Sequence, residues 1–264
     1  MGEHVQVCQL CEEPAALRES HVIPRSYYRR LKKEGGGSGQ LVSIKYDGNS
    51  PPAKSNSNPT EKLLCSTCEK FLDREYEKYG TRALISAKNT TVFEDYINVK
   101  NFKYKKAFLY FASILWRASI SMLPEFQRAN LTPKLNEHLR RCIKGRTFRI
   151  DKNLSLNDYL RISVLRVVDK EGVIEDSIIK NMLMTFGVEP GSESEVTLLY
   201  YFMVDGFVVC YLFYAHGVGS RPVTPMSGVL VNRNRIKIPK VDVTELKQIH
   251  EAFSYVSKLS NRSV

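Results

Sequence analysis

The sequence has few cysteines, which small extracellular proteins use for disulfides, and it has none of the long apolar runs of membrane proteins. Its 264 residues include only 6 cysteines, too few for a disulfide scaffold to replace a packed core. No apolar run reaches the roughly 20 residues that a membrane-spanning helix requires. The opening residues, MGEHVQVCQL, lack the basic-then-apolar pattern of a secretory signal. We therefore expect a cytoplasmic globular protein that makes no contact with a membrane.

What the sequence does have is an ordinary globular composition with an uneven excess of positive charge. Hydrophobic residues make up 43% and charged residues 25%, a balance that excludes global disorder. The formal net charge is +11, and residues 81–150 contain 14 Lys and Arg against 4 Asp and Glu. Residues 1–80 are nearly neutral, and residues 151–264 are neutral. Charge alone therefore predicts nucleic-acid contact in the middle segment.

Four of the cysteines form two Cys-x-x-Cys pairs, Cys8 with Cys11 and Cys65 with Cys68. Each pair supplies two thiolates from one tight turn, and a tetrahedral zinc ion takes four. A redox pair or unrelated buried cysteines are the alternatives, but disulfides do not persist in a reducing cytoplasm. We therefore predict a structural Zn²⁺ site with a closed shell of sulfur ligands. The remaining two cysteines lack this spacing and are expected in the core.

Hydrophobic periodicity predicts a mixture of helices and strands. A helix follows the second cysteine pair and is expected to stop at Gly80, and residues 88–106 are expected to be a connection. Arg117 interrupts an almost wholly apolar helix, so we expect it to have a partner, because an unpaired buried arginine is costly. The further predicted helices are 107–122, 135–143, 174–186 and 243–259, and the predicted strands are 160–168, 198–204 and 207–214. Asp205-Gly206 joins the last two strands as a hairpin turn.

These elements predict an α+β fold in three segments. Residues 1–85 would form a zinc module and residues 86–150 a basic helical segment. Residues 151–264 would form a mixed α+β unit of unknown role that contains the antiparallel hairpin.

Two motifs resemble those of a nuclease family. The run Ser20-His21-Val22-Ile23-Pro24 lies between the two cysteine pairs, and Leu64-Cys65-Ser66-Thr67-Cys68-Glu69 leads into the predicted helix. Together they resemble the HNH endonucleases, whose ββα-metal unit belongs to a treble-clef zinc module. Followed by Ser113-Ile114-Leu115-Trp116-Arg117-Ala118-Ser119, the motifs also resemble a largely uncharacterised bacterial group of HNH-like proteins over about residues 8–145.

The resemblance implies metal-dependent hydrolysis of DNA. His21 would be the general base that deprotonates water. Glu69 would hold a divalent ion, together with Asp73 one helical turn further on. Ser20 would be a weaker, neutral ligand, acting directly or through a metal-bound water. Two carboxylates favour Mg²⁺ or Mn²⁺ as the catalytic ion, and the two later glutamates of this helix are expected at the surface.

Departures from the HNH pattern leave other functions open. Ser20 stands where the family has an acidic residue or histidine, although Glu19 could substitute for it. Glu69 stands where the family has its final histidine, and the asparagine that often precedes the second cysteine pair is absent. The chain could therefore be a catalytically inactive, zinc-stabilised module that binds nucleic acid or protein. It could also be the effector subunit of a larger defence complex.

Clustered basic residues predict contact with phosphates, with sequence-independent and salt-sensitive affinity. The candidates are Arg25, Arg29, Arg30, Lys103, Lys105, Lys106, Arg140 and Arg141. We expect double-stranded DNA as the partner, cut by the first 80 residues and held by the basic middle segment. RNA, a partner protein and a second copy of the chain stay open as partners. The resemblance suggests a role in phage defence or in mobile elements.

Overall fold

The computed structural model describes residues 5–34, 41–44, 53–55, 59–190, 196–214 and 228–246. The strands are β1 Gln6–Val7, β2 Pro14–Ala15, β3 Leu17–Ser20, β4 Leu41–Ile44, β5 Ala53–Ser55, β6 Glu61–Cys65, β7 Thr90–Val92, β8 Tyr96–Val99, β9 Leu160–Val168, β10 Leu183–Pro190, β11 Val196–Val204, β12 Phe207–Tyr214 and β13 Ile236–Asp242. The helices are α1 Arg25–Glu34, α2 Ser66–Leu72, α3 Lys78–Ala83, α4 Tyr104–Ile120, α5 Pro133–Gly145 and α6 Asp176–Asn181. A π-helical segment, Asp73–Glu77, joins α2 to α3. The predicted α+β class is confirmed.

In the part of the chain that the structure describes, nine strands form one mixed sheet in the order β5-β4-β10-β11-β12-β9-β13-β8-β7. β4 is parallel to β10 and β13 is parallel to β9, whereas the other neighbours are antiparallel. The predicted hairpin between β11 and β12 is confirmed. Asp205 and Gly206 both have positive φ, at 56° and 73°, as a tight turn between twisted strands requires.

Both faces of the central strands are buried. In β12, Phe207, Val209 and Tyr211 belong to the main core, which also contains most of α4. The alternate residues Val208, Cys210 and Leu212 belong to a second cluster on the opposite face, together with Ile179 of α6. A strand covered on both faces has no position that favours a polar side chain, which explains the continuous apolar run of the hairpin.

The predicted apolar helix is confirmed as α4 and lies in the middle of the core. Its buried residues include Tyr110, Phe111 and Trp116. The Tyr110 hydroxyl donates to the Tyr27 hydroxyl of α1 at 3.1 Å, and the Tyr211 hydroxyl of β12 donates to the Phe111 carbonyl at 2.8 Å. α4 therefore connects the N-terminal elements to the large sheet. None of the helices in the described ranges is both long enough and apolar enough to cross a membrane.

Two predictions of secondary structure are wrong in part. The helix expected over 174–186 ends at Asn181, because the next residues pair with β11 as strand β10. The connection expected over 88–106 contains β7 and β8, which add to the sheet through β13. The helix predicted over 243–259 begins as a short 3₁₀ turn, Val243–Glu245, and residues 247–259 lie outside the described part of the chain.

All three predicted segments supply strands to the large sheet. β4 and β5 come from residues 1–85, β7 and β8 from residues 86–150, and the other five strands from the last segment. The first segment also forms two small pairs outside this sheet, β1 with β2 and β3 with β6. The division into three units stays a prediction. The three segments nevertheless share one sheet.

Gly80 does not stop the helix as expected but lies inside α3, against the Tyr110 ring. A Cβ atom at Gly80 would lie 2.1 Å from Cγ of Tyr110. We predict that Gly80→Ala lowers the free energy of unfolding by about 1–3 kcal/mol, as overpacking does, despite the better helix propensity of alanine. The measurement is urea unfolding. Gly145→Ala in α5 is the control, since its nearest new contact is a methyl carbon at 3.3 Å, and equal stabilities of the two variants would contradict the prediction.

Candidate metal centre and adjoining polar site

The first cysteine pair lies in the turn between β1 and β2. The Cys8 N–H donates to the Glu13 carbonyl at 3.0 Å, and the Glu12 N–H donates to the Cys8 carbonyl at 2.8 Å. Glu12 has a φ of 65°, which lets the chain turn back after Cys11. The turn therefore presents both thiols from one side of a short hairpin.

The second cysteine pair lies where β6 runs into α2. Cys65 has extended backbone angles and precedes the helix, and Cys68 lies in the first turn of α2. The Cys65 N–H donates to the Cys8 sulfur at 3.3 Å, and the Gln9 N–H donates to the Leu63 carbonyl at 3.0 Å. These contacts hold the two cysteine pairs against each other.

The four sulfur atoms form a group that could hold a metal ion. All four lie within 4.8 Å of one another, and the Sγ atoms of Cys11 and Cys65 are 4.0 Å apart. Four sulfurs at about 2.3 Å from a tetrahedral zinc would be about 3.8 Å apart, so the group fits such an ion. Burial opposes ionisation of the Cys8 thiol, but backbone N–H groups of both pairs lower its pKa to about 7. The predicted convergence of the two pairs is confirmed.

The other two cysteines are core residues, as predicted. Cys142 lies in α5 and Cys210 in β12, and both are buried. Burial raises the pKa of the Cys142 thiol to about 11 and that of the Cys210 thiol to about 12. Neither thiol belongs to the metal-binding group.

Helix α5 braces the first cysteine turn with two of its basic residues. Arg140 donates to the Leu10 carbonyl at 3.1 Å and forms ion pairs with Glu12 and Glu137 at 2.9 and 2.7 Å. Lys144 donates to the Cys11 carbonyl at 3.4 Å. Arg140, a candidate for phosphate contact, is therefore engaged within the fold.

A polar site adjoins the cysteine group where β3 ends. β3 pairs with β6 in antiparallel register, and α2 follows β6 directly. Ser20, the last residue of β3, is fully buried, and its hydroxyl donates to Oε1 of Glu69 in α2. Burial raises the pKa of Glu69, while the Ser20 hydrogen bond and the charge of Arg117 oppose the rise. The structure thus joins two of the predicted site residues.

His21 follows Ser20 and is half-buried, with its ring centroid 6.1 Å from that of Tyr28. Burial lowers the pKa of His21, and the positive charges of Arg25 and Arg117 lower it further. The lowered pKa favours the neutral imidazole. A neutral imidazole is the form that accepts a proton.

Arg117 is buried in α4 with 1% of its surface exposed and has the partner that the sequence requires. Its Nη1 donates to the His21 carbonyl at 2.8 Å and forms an ion pair with Oε1 of Glu77 at 2.8 Å. Its Nε donates to the Ser113 carbonyl at 3.3 Å. Its Nη2 is buried with no hydrogen-bond partner in the described ranges.

The expectation that Glu77 is a surface residue is wrong. Its side chain is 20% exposed and neutralises Arg117. An α-helix advances about 100° per residue, so eight residues would place Glu77 about 80° away from the face of Glu69. The wider π turn holds one extra residue, which rotates Glu77 back towards that face by about 100°. The sequence carries no signal for this irregularity.

Asp73 lies one turn beyond Glu69, as its spacing predicts, because the Asp73 N–H donates to the Glu69 carbonyl. Its half-exposed carboxylate pairs with Lys78 at 3.2 Å. Within the described ranges, the cysteine group is the one cluster of three or more His, Cys, Asp or Glu residues placed to hold a metal. The structure therefore does not gather His21, Glu69 and Asp73 into a preformed ion site, and a shared catalytic ion stays a prediction.

The remaining basic candidates lie in three places. Lys103, Lys105 and Lys106 surround the start of α4, and Arg141 is exposed on α5. Arg25, Arg29 and Arg30 lie on α1, along a cleft of about 550 Å³ that separates this helix from α3.

Comparisons of the chain with protein-family models, with curated proteins and with solved structures gave no match.

We predict that the cysteine group binds one divalent metal ion per chain and that Cys68→Ala abolishes this binding. Loss of one of four ligands opens the shell and also removes folding energy that the metal supplies. The measurement is the metal content of the purified protein by mass spectrometry. Cys142→Ala is the matched control, because it removes a buried thiol in α5 and should retain the ion. Equal metal content in both variants would contradict the assignment.

We predict that Arg117→Ala lowers the free energy of unfolding by about 3–5 kcal/mol, since it leaves the carboxylate of Glu77 without its buried partner. Arg117→Met combined with Glu77→Gln should recover part of this loss. Urea unfolding measures both changes. Arg141→Ala, at an exposed arginine, should stay within about 0.5 kcal/mol of the unmodified protein. A loss of the same small size for Arg117→Ala would contradict the role of the buried pair.

Proposed function

We propose that this chain is a metal-dependent endonuclease that hydrolyses phosphodiester bonds in DNA. The observation that supports it best is the contact between the Ser20 hydroxyl and the Glu69 carboxylate. These residues stand at the two positions where the HNH pattern has ligands of its catalytic ion. His21, at the position of the general base, follows Ser20 directly.

The order of elements around this contact adds support. β3 and β6 form an antiparallel pair, and α2 follows β6 without a loop, so these three elements form a β-β-α arrangement in space, with α1, β4 and β5 inserted between β3 and β6 in the chain. The cysteine group lies at the start of the same helix. Four sulfur ligands suit a structural Zn²⁺ and leave no open position, so the zinc would hold the fold and the adjoining site would do the chemistry.

The chain's own residues have defined tasks in this proposal. His21 accepts a proton from the attacking water, because its lowered pKa keeps the imidazole neutral. Arg117 holds the backbone of His21 in place by donating a hydrogen bond to the His21 carbonyl. Ser20 and Glu69 would provide hard oxygen ligands, which suit Mg²⁺ or Mn²⁺. Once bound, such an ion would neutralise charge on the scissile phosphate and the leaving oxygen.

One observation favours a second candidate function, a catalytically inactive module that binds nucleic acid. Asp73 pairs with Lys78 at 3.2 Å, although its spacing from Glu69 suits a shared ion. In that case Ser20 and Glu69 would only stabilise the junction between β3 and α2. A cytoplasmic location and a role in phage defence or mobile elements stay predictions from the sequence.

We predict that the purified protein cuts plasmid DNA in the presence of Mg²⁺ or Mn²⁺ and that His21→Ala reduces the rate by about 10²–10⁴-fold, the range typical for loss of a general base. The measurement is the conversion of supercoiled plasmid to open and linear forms. His138→Ala is the matched control, because His138 is also half-buried but contacts Tyr159, far along the chain from β3.

Two outcomes would overturn parts of this proposal. Cleavage that persists in His21→Ala would remove His21 as the base. A protein that binds DNA but does not cut it with either ion would instead favour the inactive binding module.

A further inference from the structure

The cleft between α1 and the helix that follows the π segment has basic residues on both walls. Arg25, Arg29 and Arg30 line it from α1, and Lys78 and Arg82 line it from α3. Its volume of about 550 Å³ lies within the range of ligand sites, about 300–1,000 Å³. Arg82 was absent from the phosphate contacts predicted by charge clustering, because it has no basic neighbours in the sequence.

The acidic residues of the cleft are already neutralised. Asp73 pairs with Lys78 at 3.2 Å, and Glu77 pairs with the buried Arg117 at 2.8 Å. Arg30 pairs with Asp205 of the β11–β12 turn at 2.9 Å.

Three arginines remain as uncompensated charges. Arg25, Arg29 and Arg82 are exposed and have no ion-pair partner within the described ranges. Arg25 and Arg29 lie one turn apart on the same face of α1, opposite Arg82. The cleft is therefore positive on both sides.

Two residues that line the cleft each contain a buried donor atom. The Ser26 hydroxyl and Nε of Arg30 are buried and have no hydrogen-bond partner in the described part of the chain. Both residues line the cleft. Buried polar atoms are normally satisfied, so these two donors have hydrogen-bonding capacity that the described residues leave unused. Guanidinium groups and a hydroxyl match the oxygens of phosphate.

Contacts through Arg117 connect the wall of the cleft to the polar site. Glu77 lies in the cleft wall and binds Arg117, and the same Nη1 atom of Arg117 binds the carbonyl of His21. Arg25 lies four residues beyond His21, at the start of α1. A nucleic-acid strand whose reacting phosphate lies at His21 would thus have its neighbouring phosphates at the cleft.

We infer that this cleft binds the phosphodiester groups that flank the reacting bond of a nucleic-acid strand. The inference rests on the proposed function for the position of that bond. It places the phosphate contacts predicted on α1 in one cleft and adds Arg82 of α3 to them. A free nucleotide offers the same phosphate chemistry, and the test distinguishes the two sources.

The test is the affinity of the full chain carrying His21→Ala for a labelled 20-nucleotide DNA, as single strand and as duplex, without added Mg²⁺ or Mn²⁺. Arg29→Glu and Arg82→Glu, added separately, should each weaken binding about tenfold, because each replaces an attraction by a repulsion. Each should also lower the slope of log affinity against log salt by about one. Arg233→Glu is the matched control, since Arg233 is exposed in the loop before β13 and does not line the cleft. It should leave the affinity within twofold of the starting protein.

Three outcomes would overturn the inference. They are unchanged affinity in both cleft variants, no binding of either DNA by the starting protein, and displacement of the DNA by an equal phosphate concentration of AMP. Inorganic phosphate is the second competitor and should not displace the strand. Thermal unfolding checks that the variants fold, and Arg29→Gln and Arg82→Gln, which remove charge without reversing it, should show smaller losses in the same direction.

Failure of the proposed function has a different signature. Plasmid cleavage that depends on His21, with unchanged binding in the arginine variants, would overturn this inference and keep the nuclease. Binding that depends on Arg29 and Arg82 in a chain that never cuts would overturn the nuclease and keep the cleft as a nucleic-acid site.

Discussion

The neutralisation of one buried arginine constrains the arrangement of the N-terminal elements. Arg117 is buried in the last turn of the apolar helix α4, where a guanidinium is costly unless its charge is paired. Its Nη1 atom reaches both the His21 carbonyl after β3 and the Glu77 carboxylate before α3. Three elements that are distant in sequence must therefore meet at one point, and the candidate site lies beside it.

The π segment places Glu77 where it can pair with Arg117. It leaves Asp73 one turn beyond Glu69 but rotates Glu77 inward, so Asp73 and Glu77 have different surroundings. Glu77 neutralises Arg117, and Asp73 stays half-exposed beside Lys78. Because π turns interrupt regular helices frequently at functional sites, this irregularity beside the Ser20–Glu69 contact supports a site there without defining its chemistry.

The features that the sequence predicts well are those determined by local spacing. The two Cys-x-x-Cys turns, the hairpin at Asp205-Gly206 and the apolar helix α4 depend on residues a few positions apart. The sequence does not predict β7 and β8, because β8 joins the sheet through β13, which begins at Ile236 far along the chain, and β7 pairs with β8. Strands of three or four residues are too short to show a clear period. The sequence predicts a surface position for Glu77 because regular α-helical periodicity does not include the extra residue of a π turn. Binding of a catalytic ion stays a prediction for a related reason. The spacing places Asp73 one turn beyond Glu69, but it does not determine whether its carboxylate binds an ion or pairs with Lys78.

The distribution of charge acquires a different meaning once the ion pairs are known. The excess of positive charge belongs to residues 81–150, yet part of it is used within the fold, where Arg117 is buried and Arg140 braces the first cysteine turn. The first 80 residues are nearly neutral in sum, but Lys78 and Arg117 neutralise Asp73 and Glu77. Arg25 and Arg29 of α1 then line the cleft opposite Arg82, and its two carboxylates, Asp73 and Glu77, are each paired with another cation. A segment with little net charge thus presents a positive surface next to His21, because folding decides which charges remain available to a partner.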